Sequence, residues 1–85
     1  MRIYMQQIPT EAGRAPRFLH LHIQEDLIDG WNLIKETGYQ GSPGKITRMH
    51  FNDAEAATEA MLIERDKQLK RGYRVVFVEG QGNAL

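Results

Sequence analysis

The stretch GWNLIKETGYQGSPGK, residues Gly30 to Lys45, decides how this chain folds, because it runs a strand pattern into a turn and out into a second strand. Trp31 and Leu33 share a face with Lys35, while Asn32, Ile34 and Glu36 share the other. That is the two-residue period of a half-buried strand. Gly38, Gly41, Ser42, Pro43 and Gly44 then break the pattern, and a new strand starts at Lys45. Residues of these types mark a tight turn. Strands joined by so short a connection are antiparallel neighbours. The same turn puts backbone N–H groups and the Tyr39 ring in the open, so function is sought there.

Upstream, Arg17 to Gln24 reads as a strand with Leu19, Leu21 and Ile23 on one face and Phe18, His20 and His22 on the other. Arg2 to Ile8 is a shorter strand, with Ile3 and Met5 set against Tyr4, Gln6 and Ile8, and Pro9 ends it. Thr10 to Pro16 is a loop, and the acidic connection Glu25 to Gly30 returns the chain to Trp31. Downstream, Lys45 to Phe51 places Thr47, Met49 and Phe51 opposite Ile46, Arg48 and His50. Asn52 or Asp53 caps a helix, and Asn52 with Glu55 resembles a capping box. Ala54 to Arg71 is rich in helix formers, and Gly72 supplies the stop. The apolar stripe is narrow: Ala56, Ala57, Ala60, Met61 and Ile63, small enough to lie close on a sheet. Leu62 and Leu69 point elsewhere, free to cover a terminal strand or a second subunit. Tyr73 to Val78 is the most strand-like run in the chain, and Glu79 to Leu85 is a tail expected to fray. The order predicts an α+β fold, a single antiparallel sheet of four to five strands with one long helix packed on it. One domain spans residues 1–85, with its core at 17–78.

Eighty-five residues hold one modest core, burying about 60–65% of the surface the unfolded chain exposes. With 41% hydrophobic and 26% charged residues, the composition is that of a soluble globular domain rather than a disordered or membrane chain. No apolar run approaches the roughly 18–20 residues of a membrane-spanning helix. The N-terminal residues show no signal-peptide pattern, so a cytoplasmic location is expected. Absence of cysteine removes disulfides, thiolate catalysis and Cys-ligated zinc. Eleven basic and eleven acidic residues cancel, so any attraction to nucleic acid or an anionic membrane must be local. Acids gather at Glu25, Asp26 and Asp29 and again at Asp53, Glu55 and Glu59; bases gather at Arg65, Lys67, Lys70, Arg71 and Arg74, and at Lys35, Lys45 and Arg48. Acids at a helix start and bases at its end also suit the helix dipole.

No catalytic residue is expected: there is no nucleophile elbow, no P-loop and no paired carboxylates in an evident pocket. Glu55 and Glu59 lie one helical turn apart on an acidic, solvated face. His20, His22 and His50 come without Cys or an HExxH motif, so neither a metal nor a cofactor is expected, and so small a domain leaves little room for a small-molecule substrate. For the turn two readings stand. Gly38, Gly41 and Gly44 either offer amides to a phosphate or supply positive φ. Tyr39 either stacks on a base or sugar or packs on the sheet edge. Lys35, Lys45 and Arg48 on neighbouring strands, and Lys67, Lys70 and Arg71 at helical spacing, are either phosphate contacts or solvated faces. Trp31 is expected to pack at the core or the sheet edge.

RFLHLHIQ (Arg17 to Gln24), GWNLIKE (Gly30 to Glu36), TGYQGSPGK (Thr37 to Lys45), HFND (His50 to Asp53) before an alanine-rich helix, and KRGY (Lys70 to Tyr73) after it together resemble the WGR domain. This is a small module found in bacterial proteins and in DNA-dependent poly(ADP-ribose) polymerases. The resemblance implies an antiparallel sheet with one long helix against it, and nucleic-acid binding; in the polymerases the module helps to recognise DNA ends and nicks. The family's Trp-Gly-Arg triplet is Thr37-Gly38-Tyr39 here, so only the glycine is kept. In the polymerases that Trp packs against the sugar of a terminal nucleotide, and that Arg supports damage recognition and signalling to neighbouring domains. The expected function is a stand-alone, non-catalytic module contacting DNA sugar-phosphate near ends, nicks or single strands. Its site residues are Lys35, Thr37, Gly38, Tyr39, Lys45, Arg48, Lys70 and Arg71. The alternative is a protein-interaction or homodimerisation domain that has lost DNA binding along with the Trp and Arg.

Overall fold

In the computed structural model, which describes residues 1–11 and 13–80, the alternating segments resolve into strands around a single helix. The elements are β1 (Arg2–Gln7), β2 (Arg17–Glu25), β3 (Trp31–Tyr39), β4 (Lys45–Phe51), α1 (Ala54–Lys70) and β5 (Arg74–Glu79). The strands form one sheet in the order β4-β3-β2-β1-β5, antiparallel at every pairing. Helix α1 leaves the β4 edge, crosses one face and delivers the chain to the β5 edge. The fold is α+β, and no helix among the described residues is long and apolar enough to cross a membrane. The expected tail beyond residue 80 lies outside the described residues.

The two-residue period sorts each strand into a face under the helix and a helix-free face. Under α1 lie Ile3 and Met5 of β1, Leu19, Leu21 and Ile23 of β2, and Leu33 of β3, all buried. Because Ile3 and Met5 are fully buried and β1 sits between β2 and β5, the core reaches back to residue 3 rather than starting at 17. Trp31 is partly buried and packs against this core beside its register partner Phe51.

From α1, Ala57 and Met61 are fully buried, with Ala60 and Leu62 packed alongside. Ile63 is 61% exposed, which exchanges the roles expected of Leu62 and Ile63. At 3.6 residues per turn, Leu62 is one step from Met61 and skirts the core, whereas Ile63 lies about 200° round the helix. Of the two caps expected, Asp53 is the one used and the helix starts at Ala54: Asp53 Oδ1 accepts the Ala56 N–H at 2.7 Å. At the other end Gly72 takes φ +92, which only glycine adopts freely. The N–H groups of Arg71 and Tyr73 both donate to the Gln68 carbonyl, closing the helix end. Tyr73 is buried against the core, and β5 starts after it at Arg74.

Strand β3 runs through Gly38 to Tyr39, longer than its sequence pattern. Of Gly38, Gly41 and Gly44, only Gly41 has positive φ (+86). The other two are glycines for want of room. A Cβ on Gly44 would lie 2.6 Å from Glu36 Cγ and 3.0 Å from Phe18 Cζ, and one on Gly38 would lie 3.1 Å from Gly44 Cα.

Candidate functional site

The seam between α1 and the sheet changes character along its length. From the Ala57 end it is apolar, with Met61 in one buried cluster with Leu21 and Leu33; one turn further on, the same helical face presents Glu64 and then Gln68. Gln68 is only 5% exposed. The sheet changes in step, because the next inward-facing residues after Leu33, Leu19 and Met5 are Lys35 and Thr37 on β3, Arg17 on β2 and Gln7 on β1. A tightly packed core therefore opens into a polar cleft at the C-terminal end of α1.

That cleft has a volume of about 160 Å³ and is lined by Gln7, Arg17, Lys35, Thr37, Gln68, Arg71 and Tyr73. Two of its lining residues are tied together by Glu64, whose Oε2 accepts from Lys35 Nζ at 2.9 Å and from Gln68 Nε2 at 2.7 Å. Burial pushes the Glu64 carboxyl up, but the Gln68 and Lys35 hydrogen bonds and the charges of Lys35 and Lys67 outweigh it and leave the group below its ordinary range. Gln7 Nε2 donates to the Arg71 carbonyl at 2.6 Å, fixing the helix end to β1. The Arg17 guanidinium lies over the Tyr39 ring, 5.4 Å from its centroid. On the far side of Arg17 a second hollow of about 200 Å³ is bounded by Arg14, Pro9 and Tyr39.

Of the residues expected from sequence, Lys35, Thr37 and Arg71 line the cleft, and Tyr39 flanks it by holding Arg17. Lys45 is the register partner of Thr37 and shares its face. Lys70 ends α1, exposed and outside the cleft lining. Gly38 and Arg48 are not brought to it. Both fall on the helix-free face, where the Phe18 ring covers Gly38 and Arg48 pairs in register with Ile34. The free cation expected at Lys35 is in fact engaged by Glu64. Gln7, Arg17 and Gln68 were not anticipated, yet each carries a signal: a polar residue stands where the alternation of a strand, or the seven-residue step from Met61 to Gln68, calls for an apolar one.

The helix-free face is a layer of rings. Tyr4 stacks with Phe18 and Phe77 at centroid separations of 6.2 and 6.0 Å, and His20 stacks with His22 at 6.2 Å. Gln40 Nε2 donates to the Tyr4 hydroxyl at 2.5 Å. Burial, and then the Arg2 charge, hold both histidines below their ordinary pKa, while Glu36 opposes this at His20. His50 is apart from them, since β3 separates β4 from β2, and its Nε2 lies 2.8 Å from the Asp29 carbonyl oxygen. Among the described residues no group of three or more His, Asp or Glu converges as a metal site.

The topology also sorts the charges by end. Glu25, Asp26, Asp29, Asp53 and Glu55 meet where β2 ends, β3 begins and α1 starts. Arg17, Lys45, Lys70, Arg71 and Arg74 meet at the opposite end, where Glu11, itself 3.9 Å from Arg14, and Glu36, against Gly44, are acidic exceptions. Compared with known protein families, characterised proteins and solved structures, the chain matches none.

Proposed function

We propose that this chain is a non-catalytic, WGR-like nucleic-acid-binding module that contacts DNA sugar-phosphate near ends or nicks through the cleft at the C-terminal end of α1. The observation that carries this reading is the convergence of Arg17, Arg71 and Lys35 on one polar cleft beside Lys45, with Glu64 offsetting a single charge. Cations with reach, and polar groups able to donate between them, are what phosphate oxygens require, and base identity is not read by such contacts. Thr37 stands in that lining at the place of the family's Trp, and its small side chain leaves the hollow open. Tyr39 replaces the family's Arg but brings the Arg17 guanidinium with it, so a cation is supplied at this corner from β2 instead of β3. The helix dipole opposes an anion here; the carbonyls of Gln68, Leu69 and Arg71 are each taken up by hydrogen bonds, which blunts it.

The test is fluorescence anisotropy with intact duplex, 5′-phosphorylated nicked duplex and single-stranded DNA over a range of salt. Binding is expected to favour the nick and to fall steeply with salt. Arg17→Ala and Arg71→Ala should each weaken binding to every sequence alike and lower the salt slope by about one. Arg48→Ala, on the opposite face, should leave both unchanged. Affinity and slope unaltered in both cleft variants, or no binding at low salt, would sink the proposal.

A further inference from the structure

Strand β5 closes the sheet with one side unpaired among the described residues, and Val75, Val76, Phe77 and Val78 are 39–52% exposed. An apolar edge strand of this kind is a template for another strand. Its register selects the partner. Glu79, Val78 and Phe77 pair with Arg2, Ile3 and Tyr4, but Val75 and Arg74 pair with Met5 and Gln6, so Val76 is an extra residue, a β-bulge. The bulge resets the alternation. Arg74, Phe77 and Glu79 lie on the helix-free side, with Tyr4, Gln6 and Arg2, while Val75 and Val78 lie on the helix side with Met5 and Ile3.

Read from either end, RVVFVE therefore matches in face at its first two positions, Arg74 with Glu79 on the helix-free side and Val75 with Val78 on the helix side. An unbulged six-residue strand never does, because directly opposed residues of an antiparallel pair share a face and a two-residue period would put the two ends on different faces. We propose that β5 pairs with β5 of a second copy about a twofold axis perpendicular to the sheet. Arg74 then lies opposite the second copy's Glu79, Val75 opposite its Val78, and Val76 opposite its Phe77.

Charge complementarity supports a second copy as the occupant. Each Arg74 meets a Glu79 whose present partner, Arg2 at 3.6 Å, is a loose and exposed one. Both helices stay on the same face of a continuous sheet, and the two clefts come to lie at opposite ends of the seam. A single strand pair is small as interfaces go, so the dimer is reversible and concentration-dependent.

The test is sedimentation equilibrium of the whole chain from low-micromolar to near-millimolar concentration, with far-ultraviolet circular dichroism to establish that each variant folds. Wild type should pass from monomer to dimer. Arg74→Glu and Glu79→Arg should each weaken the dimer roughly tenfold or more, because symmetry makes two like-charge contacts at once. Mixing the two variants should restore association, since each Glu then faces an Arg in the mixed pair. Val76→Lys, at an exposed bulge, should abolish it without touching the core. Wild type that stays monomeric throughout, a dimer indifferent to Val76→Lys, or folded charge variants that fail to associate when mixed would each overturn the proposal.

Discussion

Glu64→Ala tests the polar half of the helix–sheet seam. The side chain is 16% exposed and accepts two hydrogen bonds, one from the Lys35 ammonium and one from the buried Gln68 amide. An exposed ion pair contributes about 0–1 kcal/mol, while removing one partner of a fully buried pair costs about 3–5 kcal/mol. Lys35, 32% exposed, turns to water when its partner goes; Gln68 does not, and its amide is left short of an acceptor. Subtracting a few tenths of a kcal/mol for the better helix propensity of alanine, the expected loss is about 1–2 kcal/mol. In a domain of this size each kcal/mol lowers the melting temperature by about 4–8 °C.

The depressed Glu64 carboxyl fixes the pH dependence of that difference. Its contribution is complete above the unfolded value of 4.5 and is lost as the pH falls through the lower folded value. Thermal melts of wild type and variant should therefore stay apart from neutral pH down to 4.5 and converge below it. The same change frees Lys35 within the cleft, so the salt slope for duplex DNA should steepen by about 0.9 if phosphate binds there. Equal melting temperatures at neutral pH, or a gap undiminished well below 4.5, would refute the account of the seam. A wider gap in stability without a steeper slope would refute only the phosphate reading.

Two further perturbations separate causes that look alike in sequence. Gly44→Ala should lose about 1–3 kcal/mol to urea, since its Cβ collides with Glu36 and Phe18; Gly41→Ala, with nothing within 4 Å, should lose about 1–2 kcal/mol from its φ of +86 alone, and Gly41→Asn should recover most of it. Because His20 and His22 are held below 6.5 in the folded chain, the unfolded chain binds protons first, so stability should fall as the pH descends from 6.5 to the folded values and level off beneath them. His20→Gln with His22→Gln should flatten that slope in melts from pH 7.5 downwards, and an unchanged slope would show that the rings are not its source.

What the sequence disclosed and what it withheld follow from range. Period-two alternation placed Leu19, Leu21, Ile23 and Leu33 on a common face because that information is local to each strand. Strand order is not local. β1 lies next to β5 across more than sixty residues of chain, and nothing in RIYMQQ alone announces that Ile3 and Met5 are fully buried. Leu62 and Ile63 were exchanged for a related reason: with alanines making up most of the stripe, the helical phase is weakly marked, and only the sheet beneath decides which neighbour of Met61 turns inward. For the site, Lys35, Thr37 and Arg71 were visible as residue types near a turn or a helix end. Arg17 was read as a strand's first residue, Gln68 was not singled out, and their meeting required the register of three strands. Arg48 lies outside the cleft for the converse reason, since it is near Lys35 in the ladder but one residue out of phase with it, and so on the other face.

The cancelled net charge acquires a different meaning once those ends are located. Arg17 and Glu25 terminate the same nine-residue strand, which at about 3.3 Å per residue separates them by roughly 26 Å. The Debye length at physiological ionic strength is about 8 Å. Some three screening lengths lie between the two ends, so the acids around Asp26 and Asp53 do not cancel the potential that a phosphate meets near Arg17 and Arg71. On the proposed function, a neutral chain built this way would bind polyanions by one end, with the salt dependence of a small cationic patch. Salt discriminates between the two proposals. Phosphate binding should weaken linearly in the logarithm of salt concentration, whereas a dimer held mainly by strand hydrogen bonds and apolar contact between Val75, Val76, Phe77 and Val78 should respond far less.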